Sequence, residues 1–149
     1  MRIHKRILGL DVGDKRIGMA VSDEMGITAQ PAGTLVRSRP SEDFEKIIEI
    51  AKQYEAALIV VGLPIRFNGT DSPQTVKARD FLHELQRHTD IPVQPWDERL
   101  TTKSAESSLI EANMRRKSRR KIVDSVAAQF MLQHHLDCHR TQTGNQGED

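Results

Sequence analysis

The chain has 149 residues, enough for one domain with a substantial core. Its hydrophobic content of 37% and charged content of 29% are typical of a globular protein. A net charge of +1 gives no global attraction to polyanions, so any nucleic-acid binding must come from local patches. The single cysteine, Cys138, excludes an intrachain disulfide, and no apolar stretch approaches the ~20 residues of a membrane helix. We therefore expect a cytoplasmic protein without membrane association.

The first third of the chain predicts three strands. Residues 7–12 are nearly all apolar, which is typical of a central strand buried on both faces, and a turn at Gly13-Asp14 leads into a second strand over residues 17–21. The short connection predicts an antiparallel hairpin. A third strand over residues 27–36 contains Pro31, which favours a position near a sheet edge.

The rest of the chain alternates between helical and extended patterns. Ser41 is expected to cap a first helix, and Ser72-Pro73 to open a second. The predicted elements are a helix from Ser41, a strand over 58–61, a helix from 72, a strand over 91–96, and helices over 102–113 and 121–138. This order predicts an α/β fold with a mixed five-stranded sheet, formed by a single domain over residues 1–139 and followed by a polar, disordered tail over 140–149.

Three carboxylates are candidates for chemistry. Asp11 interrupts a buried strand, Glu98 follows Asp97 at the exit of the last strand, and Asp124 lies at the margin of the apolar stripe of the last helix. Each also has a structural interpretation: Asp11 could accept backbone N–H groups from the glycine turn, the 97–98 pair could be a solvated strand end, and Asp124 could compensate a helix dipole. Adjacent strand residues point to opposite faces, so at most one of Asp97 and Glu98 easily shares a face with Asp11.

A set of carboxylates suits metal-dependent phosphodiester hydrolysis. Two divalent ions about 3.5–4 Å apart can activate water and stabilise a leaving oxygen. Mg²⁺ prefers oxygen ligands and retains several waters, so a few carboxylates suffice without His or Cys. Mn²⁺ is the other candidate ion.

Four ordered segments carry a family resemblance: GLDVGDKRIGMAVSD (9–23), VVGLP (60–64) with Asn68-Gly69, DERLTT (97–102) and VDSVAAQ (123–129). Together they resemble the YqgF family, which is similar in fold to RuvC-type resolvases. The resemblance implies an RNase H-like mixed five-stranded sheet flanked by helices. It also implies that Asp11, Glu98 and Asp124 are catalytic metal ligands. The implied activity is a nuclease that trims the 5′ end of precursor 16S rRNA in ribosome biogenesis, with precursor particles as partners, or else a resolvase that cuts four-way DNA.

A run of positive charge precedes Asp124. Such runs are usually solvated loops, but beside a phosphodiester site this one would bind the nucleic-acid backbone without sequence preference. If the last helix begins at Lys121, that side chain shares a face with Asp124. The predicted nucleic-acid-binding residues are Lys15, Arg99, Arg115, Arg116, Lys117, Arg119, Arg120 and Lys121.

Several alternatives remain open from the residues. His134, His135, Cys138 and His139 could indicate zinc, although no second ligand cluster accompanies them, and Trp96 is interpreted as a packing residue. The first segment also resembles the phosphate-binding turn of actin-like ATPases, which need a second lobe. A non-catalytic, RNA-binding ribosome-maturation factor is the stronger competitor. Nothing marks a dimer surface, so a monomer acting on structured RNA is preferred to the symmetric dimer that branched DNA would require.

Overall fold

The computed structural model describes residues 6–66, 68–97 and 125–139. Its centre is a five-stranded sheet with the spatial order β3-β2-β1-β4-β5. β1 pairs antiparallel with β2, and β2 antiparallel with β3, whereas β1 pairs parallel with β4, and β4 parallel with β5. The strands are β1 (Arg6–Val12), β2 (Arg16–Ser22), β3 (Ala29–Val36), β4 (Ala56–Leu63) and β5 (Val93–Asp97). The helices are α1 (Pro40–Gln53), α2 (Pro73–His88) and α3, whose described part covers 125–139.

Helices cover both faces of the sheet. Alternate residues of β1, Leu8 and Leu10, pack with Phe44 of α1 and Leu82 of α2 in the larger core cluster. The smaller cluster lies on the opposite face, where Ile7 of β1 packs against the apolar side of α3. The members of this second cluster are Ala20, Ala29, Ala128, Leu132 and Leu136. Because both faces are covered, β1 is apolar at nearly every position.

α3 lies close to the sheet at Gly9. A Cβ atom added at Gly9 would be 3.1 Å from the Cβ of Leu132, closer than an ordinary contact. The glycine therefore sets the distance at which the last helix packs on the central strand.

The strands agree with prediction in order and direction and differ at their ends. The hairpin of β1 and β2 and the mixed sheet are confirmed. β3 is an edge strand, as Pro31 indicated, and a bulge interrupts its register between Gly33 and Pro31. β4 begins at Ala56 and β5 at Val93, each two residues from its predicted start.

The helix caps were predicted correctly in one case out of two. Ser72 caps α2, where it forms a capping box with Thr75. The prediction that Ser41 caps α1 is wrong, because Pro40 already occupies the first turn and the N-cap is Arg39, which makes no side-chain cap hydrogen bond. The predicted helix over 102–113, residues 121–124 and the predicted tail over 140–149 lie outside the described residues. No helix in the described part is long and apolar enough to cross a membrane.

Candidate active site at the carboxyl edge of the sheet

Asp11 lies near the end of the central strand, on the face covered by α3. Leu8 and Leu10 point toward α1 and α2, so the alternation of the strand places Asp11 on the same side as Gly9. Asp11 is half-buried, and its partner across the β1–β2 ladder is Gly18, which has no side chain to cover it. The carboxylate is therefore at the edge where β1, β4 and β5 all end, called here the carboxyl edge.

The described part of α3 begins beside this edge. The hydroxyl of Ser125 donates to the Met19 carbonyl over 3.4 Å, and Met19 faces Leu10, the residue before Asp11. Farther along α3, the Gln133 side-chain amide donates to the Ile27 carbonyl near the opposite end of the hairpin. α3 thus runs back along the sheet, away from the end that carries Asp11.

The last strand ends at the same edge with Asp97 opposite Leu63. Asp97 interacts electrostatically with Arg79 of α2, whereas its neighbour Trp96 packs against the rings of α3. Asp97 therefore faces away from the side of Asp11, in line with the predicted alternation. The Arg79 guanidinium also hydrogen-bonds Asp71 at 2.9 Å and holds the pKa of that carboxyl below its usual value.

The β1–β2 turn that follows Asp11 makes well-defined contacts. The N–H of Gly13 donates to the Arg16 carbonyl over 2.8 Å, so this glycine closes the turn through backbone atoms. Asp14 accepts hydrogen bonds from Gln74 and Lys77 of α2, and both interactions lower the pKa of its carboxyl. Lys15 is exposed at the tip, as a phosphate contact requires.

Much of the predicted site lies outside the described residues. Of the three carboxylates only Asp11 is described, and of the predicted nucleic-acid-binding residues only Lys15. The others are Glu98, Arg99, Arg115, Arg116, Lys117, Arg119, Arg120, Lys121 and Asp124. Their roles stay predictions.

Histidine and tryptophan side chains pack together where α3 meets β5. The ring centroids of Trp96 and His135 are 5.1 Å apart in an edge-to-face arrangement, and His135 stacks on His139 at 4.0 Å. Burial and the neighbouring His139 lower the pKa of His135 to about 4. Within the described ranges, no group of three or more His, Cys, Asp or Glu side chains is arranged to hold a metal ion, so these ranges offer no support for zinc. The interpretation of Trp96 as a packing residue is confirmed.

Comparison with known proteins decides the family. The model of the family described as "RuvX: Holliday junction resolvase" matches residues 5–138. The chain belongs to this family. A protein of Halothermothrix orenii named "Putative pre-16S rRNA nuclease" is 47% identical over 132 residues, which cover 89% of this chain and 94% of the relative. A Clostridium novyi protein with the same name is 46% identical and is covered to 98% of its length.

Solved structures related to this RuvX-family chain share its fold at low sequence identity. Thermus thermophilus RuvC, in complex with a Holliday junction substrate, has a TM-score of 0.54 and 12% identity over 92% of this chain and 96% of that one. The fowlpox virus resolvase, solved with Holliday junction DNA, has a TM-score of 0.52 and 14% identity over 89% and 97% of the two chains. The expected RNase H-like mixed sheet is confirmed.

The described part of the site fits a divalent cation. Asp11 provides hard oxygen donors, and its cross-strand partner, Gly18, has no side chain. Two further residues that fix the turn after Asp11, Arg37 and Asp43, were not singled out from the sequence. They lie 24 and 30 positions after Gly13 in the chain, and no motif connects them to it.

Proposed function

We propose that this chain is a Mg²⁺- or Mn²⁺-dependent nuclease that trims the 5′ end of precursor 16S rRNA in the cytoplasm. The observation that carries this proposal is the position of Asp11, at the carboxyl edge and on the α3 face, in a chain 47% identical to a relative named "Putative pre-16S rRNA nuclease". The Asp11 carboxylate lies within a strand that is apolar at its other central positions, and its oxygen atoms are the donors that a divalent metal ion prefers.

Glu98 and Asp124 are proposed as the other two ligands. Asp97 faces α2. Because neighbouring residues of a strand point to opposite faces, Glu98 is the better candidate for the face on which Asp11 lies. Asp124 directly precedes Ser125, whose hydroxyl contacts Met19 beside the carboxyl edge. Asp97 and Ser125 are described in the structure, whereas the proposed ligands beside them lie outside the described residues.

The proposed site residues have two roles, metal binding and phosphate binding. Asp11, Glu98 and Asp124 hold the ions, which when bound activate a water molecule and stabilise the leaving oxygen. Lys15, exposed in the turn after Asp11, contacts a backbone phosphate, and the basic residues of segment 115–121 with Arg99 extend that contact along the strand. These proposed contacts are to the phosphate backbone and do not read base identity.

A second candidate function is resolution of four-way DNA junctions. The family description and the fold of the two resolvases favour it. A resolvase acts as a symmetric dimer, whereas RNA end trimming requires only a monomer. The oligomeric state at working concentration therefore separates the two candidates.

The test uses two labelled substrates, a precursor 16S rRNA 5′ fragment and a synthetic four-way junction, each with Mg²⁺ or Mn²⁺ and with an EDTA control. We expect metal-dependent cutting of the RNA that Asp11→Asn abolishes while RNA binding persists. Cutting of the junction alone would favour the resolvase. Binding without cutting of either substrate would favour a non-catalytic maturation factor, and cutting by the Asp11→Asn protein would refute the assigned site.

A further inference from the structure

An ion pair outside the proposed ligand set, between the partly exposed Arg37 and the buried Asp43, lies against the turn that follows Asp11. The Arg37 guanidinium donates from Nη1 to the Gly13 carbonyl over 2.8 Å, and its Nε lies 3.6 Å from Oδ2 of Asp43. The backbone N–H of Arg37 also donates to the Lys15 carbonyl over 2.9 Å. Arg37, the first residue after β3, thus hydrogen-bonds the turn on both sides of Asp14.

Arg37 is itself fixed by its surroundings. Asp43 is 1% exposed and also accepts a hydrogen bond from the Ser38 N–H over 3.0 Å, so its carboxylate cannot turn away. The guanidinium lies 5.4 Å from the ring centroid of Phe81 in α2. Because α1, α2 and β3 all constrain Arg37, the position of the Gly13 carbonyl is tied to the core on the face opposite α3.

The exposed ion pair on the same turn is the weaker constraint. Lys77 and Asp14 form a 3.2 Å pair, but their side chains are 63% and 53% exposed, so solvent screens the attraction. Arg37 and Asp43 are 24% and 1% exposed, and the guanidinium makes a charge-assisted hydrogen bond to the Gly13 carbonyl. The position of the turn therefore depends mainly on Arg37.

The turn leaves little room for adjustment. A Cβ at Gly13 would lie 2.8 Å from the Arg16 carbonyl oxygen, so this residue is closely packed against its own hairpin. Gly13 is two residues from Asp11, and the intervening Val12 packs against the larger core. Only this one residue separates the Gly13 carbonyl from Asp11, so the turn and the end of β1 form one short backbone segment.

We propose that Arg37 and Asp43 are positioning residues, which fix the β1–β2 turn and so set the orientation of the Asp11 carboxylate and the position of Lys15. This inference rests on the proposed function for the identity of Asp11 as a metal ligand. Arg37 touches neither the metal nor the substrate in this assignment. Its effect is exerted through the Gly13 carbonyl.

The test compares Arg37→Gln, Arg37→Lys and Asp43→Asn in the full chain, with Arg87→Gln as the matched control. Arg87 is exposed and forms an ion pair with Glu84 over 3.2 Å, near the end of α2 that lies farther from the site. Calorimetric titration with Mn²⁺ is the first measurement, with Asp11→Asn as the reference for lost binding. We expect Arg37→Gln to weaken Mn²⁺ binding severalfold, up to about the tenfold that is lost when a group hydrogen-bonded directly to a metal ligand is removed. Arg37→Lys keeps the charge and should fall between Arg37→Gln and the wild type.

Amide hydrogen exchange of the metal-free protein is the second measurement. Arg37→Gln should accelerate exchange of the Gly13 N–H about tenfold or more, because a hydrogen bond from a charged donor no longer holds the turn. Asp43→Asn should act in the same direction, and Arg87→Gln should leave both measurements unchanged. Thermal melts of all variants show whether a global loss of folding accounts for the effects.

The outcomes separate this inference from the proposed function. Unchanged Gly13 exchange, or faster exchange with unchanged Mn²⁺ affinity, would overturn the positioning role. A fall in affinity that only matches the fall in global stability, without the intermediate behaviour of Arg37→Lys, would also overturn it. A wild-type chain that binds no Mn²⁺ would refute metal dependence, and the exchange data would show separately whether Arg37 holds the turn.

Discussion

Gly9→Ala should push the last helix away from the central strand. The added methyl would lie 3.1 Å from the Leu132 Cβ, several tenths of an ångström inside an ordinary carbon–carbon contact. Because a Cβ moves only with its backbone, α3 must shift. Overpacking of this kind costs about 1–3 kcal/mol, offset by ~0.4–1 kcal/mol from the lower entropy of the unfolded chain. We expect a net loss of about 1–2 kcal/mol, or roughly 2–8 °C in the melting temperature.

The assay is urea unfolding monitored by circular dichroism, repeated for Leu132→Ala and for the double variant. Leu132→Ala alone should cost about 2–5 kcal/mol, because it opens a cavity at a fully buried position. In the double variant the helix can shift with less loss of packing, so the combined cost should fall short of the sum by about 0.5 kcal/mol or more. A Gly9→Ala protein as stable as the wild type would refute the close packing of α3 on β1.

Three further predictions concern pH, capping and salt. His135 has a folded pKa of about 4 against an ordinary 6.5, so the unfolded chain binds more protons between these values. Stability should therefore fall on the order of 2 kcal/mol as pH drops from 7 toward 4, and His135→Leu should flatten the pH 5–7 part of this dependence in urea titrations. Ser72→Ala should cost about 1 kcal/mol, because it removes the capping box of α2, and an unchanged urea midpoint would contradict that role. Arg119→Gln with Arg120→Gln should lower the slope of log affinity against log salt for single-stranded RNA by about 1.4, measured by fluorescence anisotropy. An unchanged slope would exclude Arg119 and Arg120 from backbone contact.

The elements that could be predicted from the sequence are those whose signals are local. The apolar run of β1, the glycine turn after it and the Ser72-Pro73 helix start each lie within a few residues, and each appears in the structure. Pro31 correctly indicated an edge strand because a proline cannot donate in a sheet interior. The prediction that Ser41 caps α1 was wrong because Pro40, at the preceding position, is the stronger signal for a first helical residue.

The candidate site could be predicted only in part because its supports are nonlocal. Asp11 was identifiable as a charge within an apolar strand, and Asp97 faces α2 and not the side of Asp11, whereas the side that Glu98 takes stays a prediction. Asp43, however, has the sequence signature of a dipole-compensating acid in a first helical turn, and the structure buries it against Arg37. That pairing depends on the return of the chain after β3, which no local pattern specifies.

The packing of α3 against the β1–β2 hairpin also bears on when the fold is completed during synthesis of the chain. The contact between Ser125 and Met19 joins residues 106 positions apart. At about 5–20 residues per second, the ribosome makes the second partner roughly 5–20 s after the first. The hairpin that carries Asp11 is thus synthesised long before the helix that covers its face. If the proposed function is correct, a nascent chain holds an incomplete nuclease while it is attached to a particle made of RNA, and cutting begins only after the last helix has emerged and docked.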